Sequence, residues 1–226
     1  MADLITFATK DGFQVKGALA LPEGDAKAPG LVLIQEWWGL NDHIRGLADR
    51  FAAEGFATLA PDLYHGAVTT DPKEAGRLMN ELDGASALRD IHGAAHALLA
   101  LERVNGKVGI TGFCMGGAYS FAAAAAFPEL SVAVPFYGVP PAERTSYANV
   151  RAPIQAHFAR TDPWATVERA EDIKRQIEAH GGTMELHVYE AEHAFFNDTR
   201  REVYNPEAAK LAWERTIAFL RRHLMP

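Results

Sequence analysis

The clearest catalytic signature in the chain is the hexapeptide GFCMGG at residues 112–117, which has Cys114 near its centre. Glycines on both sides of the cysteine leave room for a sharp strand-to-helix turn that presents the thiol as a nucleophile and strains its backbone angles. A helix that begins directly after Cys114 would point its positive N-terminal end at the sulfur and stabilise a thiolate. The alternative is an inert buried thiol beside glycines that only pack a helix on a strand, because free cysteines are commonly buried. The hexapeptide by itself favours the nucleophile.

An acid and a histidine follow the cysteine in the chain, each just past the end of a predicted strand. Asp162 follows the predicted strand 153–159, and His193 follows the predicted strand 184–189. The order nucleophile, acid, histidine is that of the α/β-hydrolase triad. His193 would take the thiol proton and return it to the leaving group, while Asp162 would hold the imidazole tautomer and stabilise its cation. Each residue alone is typical of a turn or a loop, so the hypothesis depends on their combination.

A second group of unusual residues follows the first predicted core strand, 31–34, in the sequence QEWWG at residues 35–39. An oxyanion hole needs two hydrogen-bond donors, and the first would be the backbone N–H of Met115, directly after the nucleophile. The second must come from this early loop, where the backbone N–H of Trp37 is the best candidate. Glu36 is a carboxylate beside two tryptophans, so it is either a catalytic group or an ordinary solvated loop glutamate.

Strand-like and helical segments that could position these residues alternate along the chain after an N-terminal hairpin, which is indicated by Asp11-Gly12 between two alternating runs. The predicted strands are 5–8, 13–19, 31–34, 56–60, 107–111, 131–137, 153–159 and 184–189, with a loop over 22–29. The predicted helices are 43–54, 71–82, 86–101, 115–127, 165–180 and 206–224. The alternation predicts one α/β domain over 1–226, with a mostly parallel sheet and helices on both faces. In such sheets the active site gathers at the carboxyl ends of the strands.

Composition and charge restrict the class of protein. The chain has 226 residues, 48% of them hydrophobic, and one cysteine, so it can bury a large core and cannot form an intrachain disulfide. The net charge of −7, without a stripe of Lys or Arg, gives no electrostatic basis for nucleic-acid binding. The first residues lack the features of a signal peptide, and the most apolar run, 118–127, is too short to span a bilayer. We therefore expect a cytoplasmic protein with a small-molecule substrate and no membrane partner, as a monomer or small homo-oligomer.

Motifs spread from the first hairpin to the final helix resemble the dienelactone hydrolases (carboxymethylenebutenolidases). They are Gln35, Glu36, Gly39 and Asn41; Ala60-Pro61-Asp62-Leu63-Tyr64; the cysteine hexapeptide; and Asp162 with Glu192-His193. The resemblance implies an α/β-hydrolase fold with an eight-stranded, mostly parallel sheet. It also implies hydrolysis of esters or lactones through an acyl-thioester on Cys114. Glu36, by the same resemblance, contacts the resting thiol and helps to deprotonate it when substrate arrives.

The chain departs from that family at one position. The family pattern has an arginine four residues after the catalytic histidine, where it holds the substrate carboxylate, and here that residue is Asn197. Arg77 is the candidate for a second anion-binding arginine, on a loose alignment. Aromatic residues at or near strand ends are divided between core and an apolar pocket: Trp37, Trp38, Phe113, Tyr137, Trp164, Phe195 and Phe196. The predicted substrate contacts are Trp38, Arg77, Phe113, Tyr137, Phe195 and Asn197, and we expect neutral esters or lactones to be preferred.

Two other interpretations compete with this hypothesis. His92 and His96 are spaced so that they share a helix face and could bind a metal. No third ligand is evident in the sequence and Gly93 weakens the helix between them, so neither a metal nor a cofactor is predicted. The rival from another class is a non-catalytic thiol protein, either a redox sensor or a binding module on a hydrolase scaffold. A sensor usually has a resolving cysteine, which this chain lacks, and the complete triad argues against lost chemistry.

Overall fold

The computed structural model describes residues 2–141, 143 and 145–225 of the chain. Within these residues it has eight strands: β1 (Asp3–Ala8), β2 (Gln14–Ala20), β3 (Ala28–Ile34), β4 (Ala57–Pro61), β5 (Val104–Phe113), β6 (Leu130–Phe136), β7 (Ile154–Ala159) and β8 (Met184–Tyr189). The α-helices of the same residues are α1 (Asp42–Ala53), α2 (Pro72–Glu81), α3 (Gly84–Leu99), α4 (Met115–Ala126), α5 (Val167–Ala179) and α6 (Pro206–Leu224). None of these helices is long and apolar enough to cross a membrane.

The strands belong to one sheet in the order β1-β2-β4-β3-β5-β6-β7-β8. β1 pairs antiparallel with β2, and β2 pairs antiparallel with β4. The pairs β3–β4, β6–β7 and β7–β8 are parallel. The expected eight-stranded, mostly parallel sheet is therefore confirmed.

Three strands are buried along their whole length: β3, β4 and β7. Continuous burial of this kind is typical of parallel strands that are covered on both faces, because the side chains on each face then lie under a helix layer. α3 contacts β3 and β4, and α5 contacts β7 and β8. The helices thus bury the strands whose carboxyl ends carry the predicted site residues.

The chain divides into two compact units, residues 1–109 and 110–226, and β5 passes from the first into the second. In the first unit, the Asn41 side chain caps α1 by accepting a hydrogen bond from the N–H of Ile44 at 3.1 Å. In the second unit, Thr166 caps α5 in the same way at 3.4 Å. The interpretation of the chain as one domain stays a prediction.

The N-terminal hairpin is confirmed, with a longer turn than an Asp-Gly pair alone would make. Ala8 pairs with Gln14, so residues 9–13 form the turn. Gly12 takes a φ of 85°, a conformation that costs glycine little because it has no Cβ. The Asp-Gly signal therefore identified the place of the turn but not its length.

The loop predicted over 22–29 and the strand predicted over 107–111 have the wrong bounds. The loop predicted over 22–29 ends early, because β3 already begins at Ala28. Pro29 is tolerated there since a proline near the start of a strand removes little of the hydrogen-bond ladder. The strand predicted over 107–111 extends at both ends to Val104–Phe113. Its first half is partly exposed and polar, so it carries no apolar run from which its beginning could be predicted.

Candidate active site

Cys114 is the single residue between the end of β5 and the beginning of α4. Its backbone has φ 56° and ψ −115°, which a residue with a Cβ rarely adopts. The Cys114 N–H donates to the carbonyl of Phe136 at 3.1 Å, and the Cys114 carbonyl accepts from the N–H of Ala118 at 3.2 Å. The predicted strained turn is confirmed, and it is held on both sides by the hydrogen bonds of its backbone. Strain that is fixed in this way is characteristic of functional sites.

Two glycines allow the turn to approach the end of β6. A Cβ on Gly117 would lie 2.2 Å from the carbonyl oxygen of Phe136. A Cβ on Gly138 would lie 2.0 Å from the carbonyl oxygen of Cys114. Gly117 belongs to the hexapeptide, whereas Gly138 was missed, because no local pattern indicates that the chain after β6 passes this close to the elbow.

The side chains of Cys114, Asp162 and His193 meet. His193 Nδ1 lies 2.6 Å from Asp162 Oδ2, and His193 Nε2 lies 3.1 Å from Cys114 Sγ. The other carboxylate oxygen of Asp162 accepts hydrogen bonds from the backbone N–H groups of Trp164 and Ala165, each at 2.9 Å. The Asp162 carboxylate is buried, and its two oxygens have different partners. Oδ1 stabilises the loop that follows Asp162, and Oδ2 orients the imidazole of His193.

The electrostatics of the site favour a positive charge on His193. Burial alone lowers the pKa of this imidazole, but its hydrogen bonds to Asp162 and Cys114 outweigh burial and raise the pKa to about 10. The ring therefore carries two protons at neutral pH and donates from both nitrogens. An imidazolium beside a cysteine sulfur stabilises the thiolate, which is the nucleophilic form.

Two aromatic rings flank His193. The ring of Tyr137 lies 5.2 Å away and that of Trp164 lies 5.1 Å away, both in T-shaped arrangements. Tyr137 is buried and has a φ of 32°, and its N–H donates to the carbonyl of His157 at 2.8 Å. Tyr137 was a predicted substrate contact, while Trp164 was named only among the strand-end aromatics. The signal that could have identified Trp164 is its place two residues after the predicted acid.

Two predicted substrate contacts belong to the core instead. Phe113 is fully buried, with its ring 4.6 Å from that of Phe136 and 5.1 Å from that of Phe196. Phe195 is also fully buried, and its ring lies 5.4 Å from that of Tyr137. Their aromatic surface is used in packing beneath the site, so the prediction that they contact substrate is corrected.

Asn197 also has a structural role. It is 1% exposed, and its side-chain oxygen accepts hydrogen bonds from the N–H and the hydroxyl of Thr199 at 3.0 and 2.6 Å. These bonds stabilise the turn that follows His193. Its side chain is buried and hydrogen-bonded within this turn, which corrects the prediction of a substrate contact. An arginine at this position would have to bury its guanidinium, which is costly.

Arg77 is half-exposed on α2, and its guanidinium binds two carboxylates of the same helix. Arg77 Nε donates to Glu74 at 2.8 Å, and Nη1 donates to Glu81. These pairs have the i+3 and i+4 spacing of helix-surface ion pairs. A role for Arg77 in substrate binding stays a prediction, and it would require the guanidinium to exchange these carboxylates for the substrate.

The early loop in the first unit has an unusual carboxylate at its centre. Glu36 is only 2% exposed, so the interpretation of it as a solvated loop glutamate is wrong. The rings of Trp37 and Trp38 lie 5.0 Å apart and are half-buried. Gly39 has a φ of 94°, and a Cβ there would lie 2.3 Å from the carbonyl oxygen of Ala67. The catalytic role of Glu36, the substrate contact of Trp38 and the oxyanion-hole roles of Met115 and Trp37 stay predictions.

His92 and His96 share a face of α3, as their spacing predicts. Their Nε2 atoms lie 3.1 Å apart, and their rings meet in a T-shaped contact with centroids at 4.4 Å. One imidazole therefore donates a hydrogen bond to the other in the neutral pair, with the tautomers set by this contact.

Comparison with known proteins finds similarity along nearly the whole chain. The chain matches the Dienelactone hydrolase family over residues 15–224. It is 36% identical to Protein usf of Aquifex pyrophilus, over 99% of this chain and 100% of that protein. A protein of Aquifex aeolicus (strain VF5), provisionally named carboxymethylenebutenolidase, is 33% identical over 99% and 100% of the two chains. The crystal structure of a provisionally assigned dienelactone hydrolase from Klebsiella pneumoniae has a TM-score of 0.88 at 28% identity, covering 98% of each chain. The predicted α/β-hydrolase fold is confirmed by this similarity.

Proposed function

Because the chain belongs to the dienelactone hydrolase family and is therefore an ester or lactone hydrolase, we propose that it hydrolyses its substrate by covalent catalysis at Cys114. The observation that carries this proposal is the position of His193, whose ring is hydrogen-bonded at 2.6 Å to Asp162 and at 3.1 Å to the Cys114 sulfur. A nucleophile, a base and an orienting acid within hydrogen-bond reach of one another are what acyl transfer requires.

As substrate arrives Glu36 accepts the proton of the Cys114 thiol, and in the acylation step the resulting thiolate attacks the carbonyl carbon of the ester or lactone. A C–S bond forms, and the carbonyl electron pair moves onto oxygen, where the backbone N–H groups of Met115 and Trp37 would stabilise the oxyanion. When the oxyanion collapses, the C–O bond breaks and the imidazolium of His193 gives its Nε2 proton to the leaving oxygen. The products are an alcohol or enol and an acyl-thioester on Cys114.

In the deacylation step water attacks the thioester carbonyl while neutral His193 accepts one of its protons. The second tetrahedral oxyanion collapses with cleavage of the C–S bond. The carboxylic acid leaves the Cys114 thiolate beside the His193 imidazolium, and the thiolate then recovers its proton from Glu36. The two steps together consume one ester and one water and release one acid and one alcohol. A lone thiol nucleophile also suits a cytoplasm that keeps it reduced.

The direct test is a panel of esters, thioesters and lactones with intact-mass detection of the protein. We expect a mass increase equal to the acyl group, which is absent from Cys114→Ala since the chain has one cysteine. Turnover of every substrate without any acylated protein under rapid quenching would contradict a covalent intermediate. Oxidation of Cys114 by peroxide, without hydrolysis of any substrate in the panel, would favour the redox-sensor alternative.

Glu36 is proposed to assist deprotonation of Cys114 as substrate arrives. Its burial at 2% exposure and its place two residues after the end of β3 support this role. We expect Glu36→Gln to slow acylation by roughly 10²-fold, the lower end of what a general base contributes, while substrate binding changes little. The measurement is pre-steady-state acylation at increasing substrate concentrations, with the exposed-loop variant Glu23→Gln as control. An acylation rate equal to that of the wild type would leave Glu36 a structural residue.

The substrate is proposed to be neutral. With Asn197 buried in a turn, this chain has no charged group at the position where the family holds a substrate carboxylate, and its net charge of −7 does not steer anions towards it. A missing charged hydrogen bond costs about 1.5–3 kcal/mol, or about one to two decades in kcat/KM. We therefore expect a neutral aryl ester to be hydrolysed at least as efficiently as a dienelactone that carries a free carboxylate.

The measurement is kcat/KM for both substrates in the wild type and in Arg77→Gln. A preference of the wild type for the anionic lactone by orders of magnitude would contradict the neutral substrate. If Arg77→Gln then removed that preference, the carboxylate site would lie at Arg77 despite its pairing with Glu74 and Glu81. Asn197→Arg is not a suitable test, because the side chain it replaces is buried.

A further inference from the structure

Trp164 has the largest exposed fraction of any large apolar side chain among the described residues, 67%, although it lies against a residue of the triad. Its indole meets the ring of His193 with centroids 5.1 Å apart and planes at 76°. Isolated apolar side chains on a surface usually have no special meaning. This one is different because its neighbour is the imidazole whose Nε2 contacts the Cys114 sulfur.

The position of Trp164 is set by its backbone. Its N–H and that of Ala165 donate to the same oxygen of Asp162, both at 2.9 Å, and the next residue, Thr166, caps α5. The carboxylate that orients His193 therefore also fixes the loop that carries the indole. Since these bonds involve only the backbone of residue 164, a change of its side chain leaves them in place.

The chemistry of the triad determines which part of a substrate the indole would meet. His193 Nε2 must lie within hydrogen-bond reach of the leaving oxygen when the C–O bond breaks. The group attached to that oxygen is consequently near the imidazole, beside the flanking rings. Tyr137 is one of these rings, but it is buried, so Trp164 is the ring with aromatic surface left for a ligand.

We infer that Trp164 is a specificity-determining residue that contacts the leaving group of the substrate and favours flat, aromatic or enol leaving groups over small alkyl ones. The inference rests on the proposed function, because only hydrolysis by the triad defines a leaving-group side. Aromatic rings in contact gain energy beyond the area they bury, and a tryptophan offers the largest face. The acyl part of the substrate stays on Cys114 after the first step, so its hydrolysis does not depend on a contact with the Trp164 indole.

The test uses two neutral acetate esters, phenyl acetate and ethyl acetate, which give the same acetyl-enzyme. For Trp164→Ala we expect kcat/KM to fall about tenfold on phenyl acetate and less than about twofold on ethyl acetate, each relative to the wild type. Trp164→Phe should recover most of the loss. The deacylation rate of the shared acetyl-enzyme should be the same in all variants, since the leaving group has already departed. Leu211→Ala, which removes another exposed apolar side chain of the second unit, is the matched control and should leave kcat/KM unchanged for both esters.

Equal losses on the two esters, or a slower deacylation, would overturn the inference. Either result would mean that the indole only shields His193 and Asp162 from water, a purely structural role. Failure of the proposed function has a different signature, because the wild type itself would then form no acetyl adduct on Cys114 with either ester.

Discussion

Replacing Cys114 with alanine is expected to lower kcat/KM for ester hydrolysis by about 10⁴-fold or more, the scale on which removal of a triad nucleophile acts in other acyl-transfer enzymes. No other thiol exists in the chain to take its place. The protein should remain folded, because alanine removes one sulfur from a half-buried position and keeps the Cβ that the backbone at φ 56° already accommodates. The measurement is hydrolysis of a neutral aryl ester, with circular dichroism and thermal unfolding to establish that the variant is folded.

Cys114→Ser is the matched comparison, since it changes the nucleophilic atom and little else. It should also be strongly impaired, because a hydroxyl must be deprotonated as it attacks, whereas the site holds its histidine as an imidazolium suited to a thiolate. Undiminished turnover in folded Cys114→Ala would refute covalent catalysis at this residue. A serine variant as active as the wild type would refute the argument that the site is specific for a thiolate.

Much of the fold could be predicted because the buried strands carry their own signal. β3 is apolar throughout, β4 and β7 are apolar except for Thr58, Gln155 and His157, and the helices between strands have their apolar side chains at helical spacing. β5 was predicted too short, because its first half is partly exposed and only its second half is continuously buried. The apolar pattern indicates which segments are buried. It does not predict the end of a strand that continues into solvent-exposed, polar residues.

The proximity of Cys114, Asp162 and His193 could be predicted for a related reason. Asp162 and His193 both follow strands, and the carboxyl ends of parallel strands meet at one edge of a sheet, so position along the chain gives proximity in space. The aromatic residues near the same edge could not be sorted in this way. Phe195 is buried in the core and Trp164 is exposed, although each lies two residues after a member of the proposed triad. That choice depends on tertiary packing, which a local pattern does not contain.

Asn197 shows how a comparison by position can mislead. It was compared with an arginine because it occupies the same place after the histidine, yet its side chain bonds the N–H of Thr199, two residues further on. Asparagine commonly makes this local turn, so the sequence contained a signal for a structural role. The carboxylate of Glu36 is the opposite case: its burial could not be predicted from a loop sequence, and it strengthens the case for a functional role.

Replacing Asp162 with asparagine is expected to lower kcat/KM at neutral pH by roughly 10²–10⁴-fold. It should also move the alkaline limb of the pH profile of kcat/KM to lower pH. The asparagine oxygen can still accept from the N–H groups of Trp164 and Ala165, so the loop is kept. Its NH₂ group then faces His193 Nδ1 at the position where a carboxylate oxygen now accepts at 2.6 Å. Two donors cannot share that contact, so the ring must deprotonate Nδ1, and the imidazolium is lost.

The pH profile separates this mechanism from a general loss of structure. The wild-type pKa of His193 is raised to about 10, so its protonated form persists at neutral pH and is lost as the pH rises through that value. We therefore expect wild-type kcat/KM for a neutral ester to fall near pH 10, and the corresponding fall in Asp162→Asn to occur at lower pH. The two measurements are kcat/KM at neutral pH and the pH at which its alkaline limb falls. The matched control is Asp172→Asn, which neutralises an exposed carboxylate on α5 and should leave both measurements unchanged. An alkaline limb that stays in place in a folded Asp162→Asn protein would mean that Asp162 does not set the charge of the histidine, and that another group must hold the imidazolium beside Cys114.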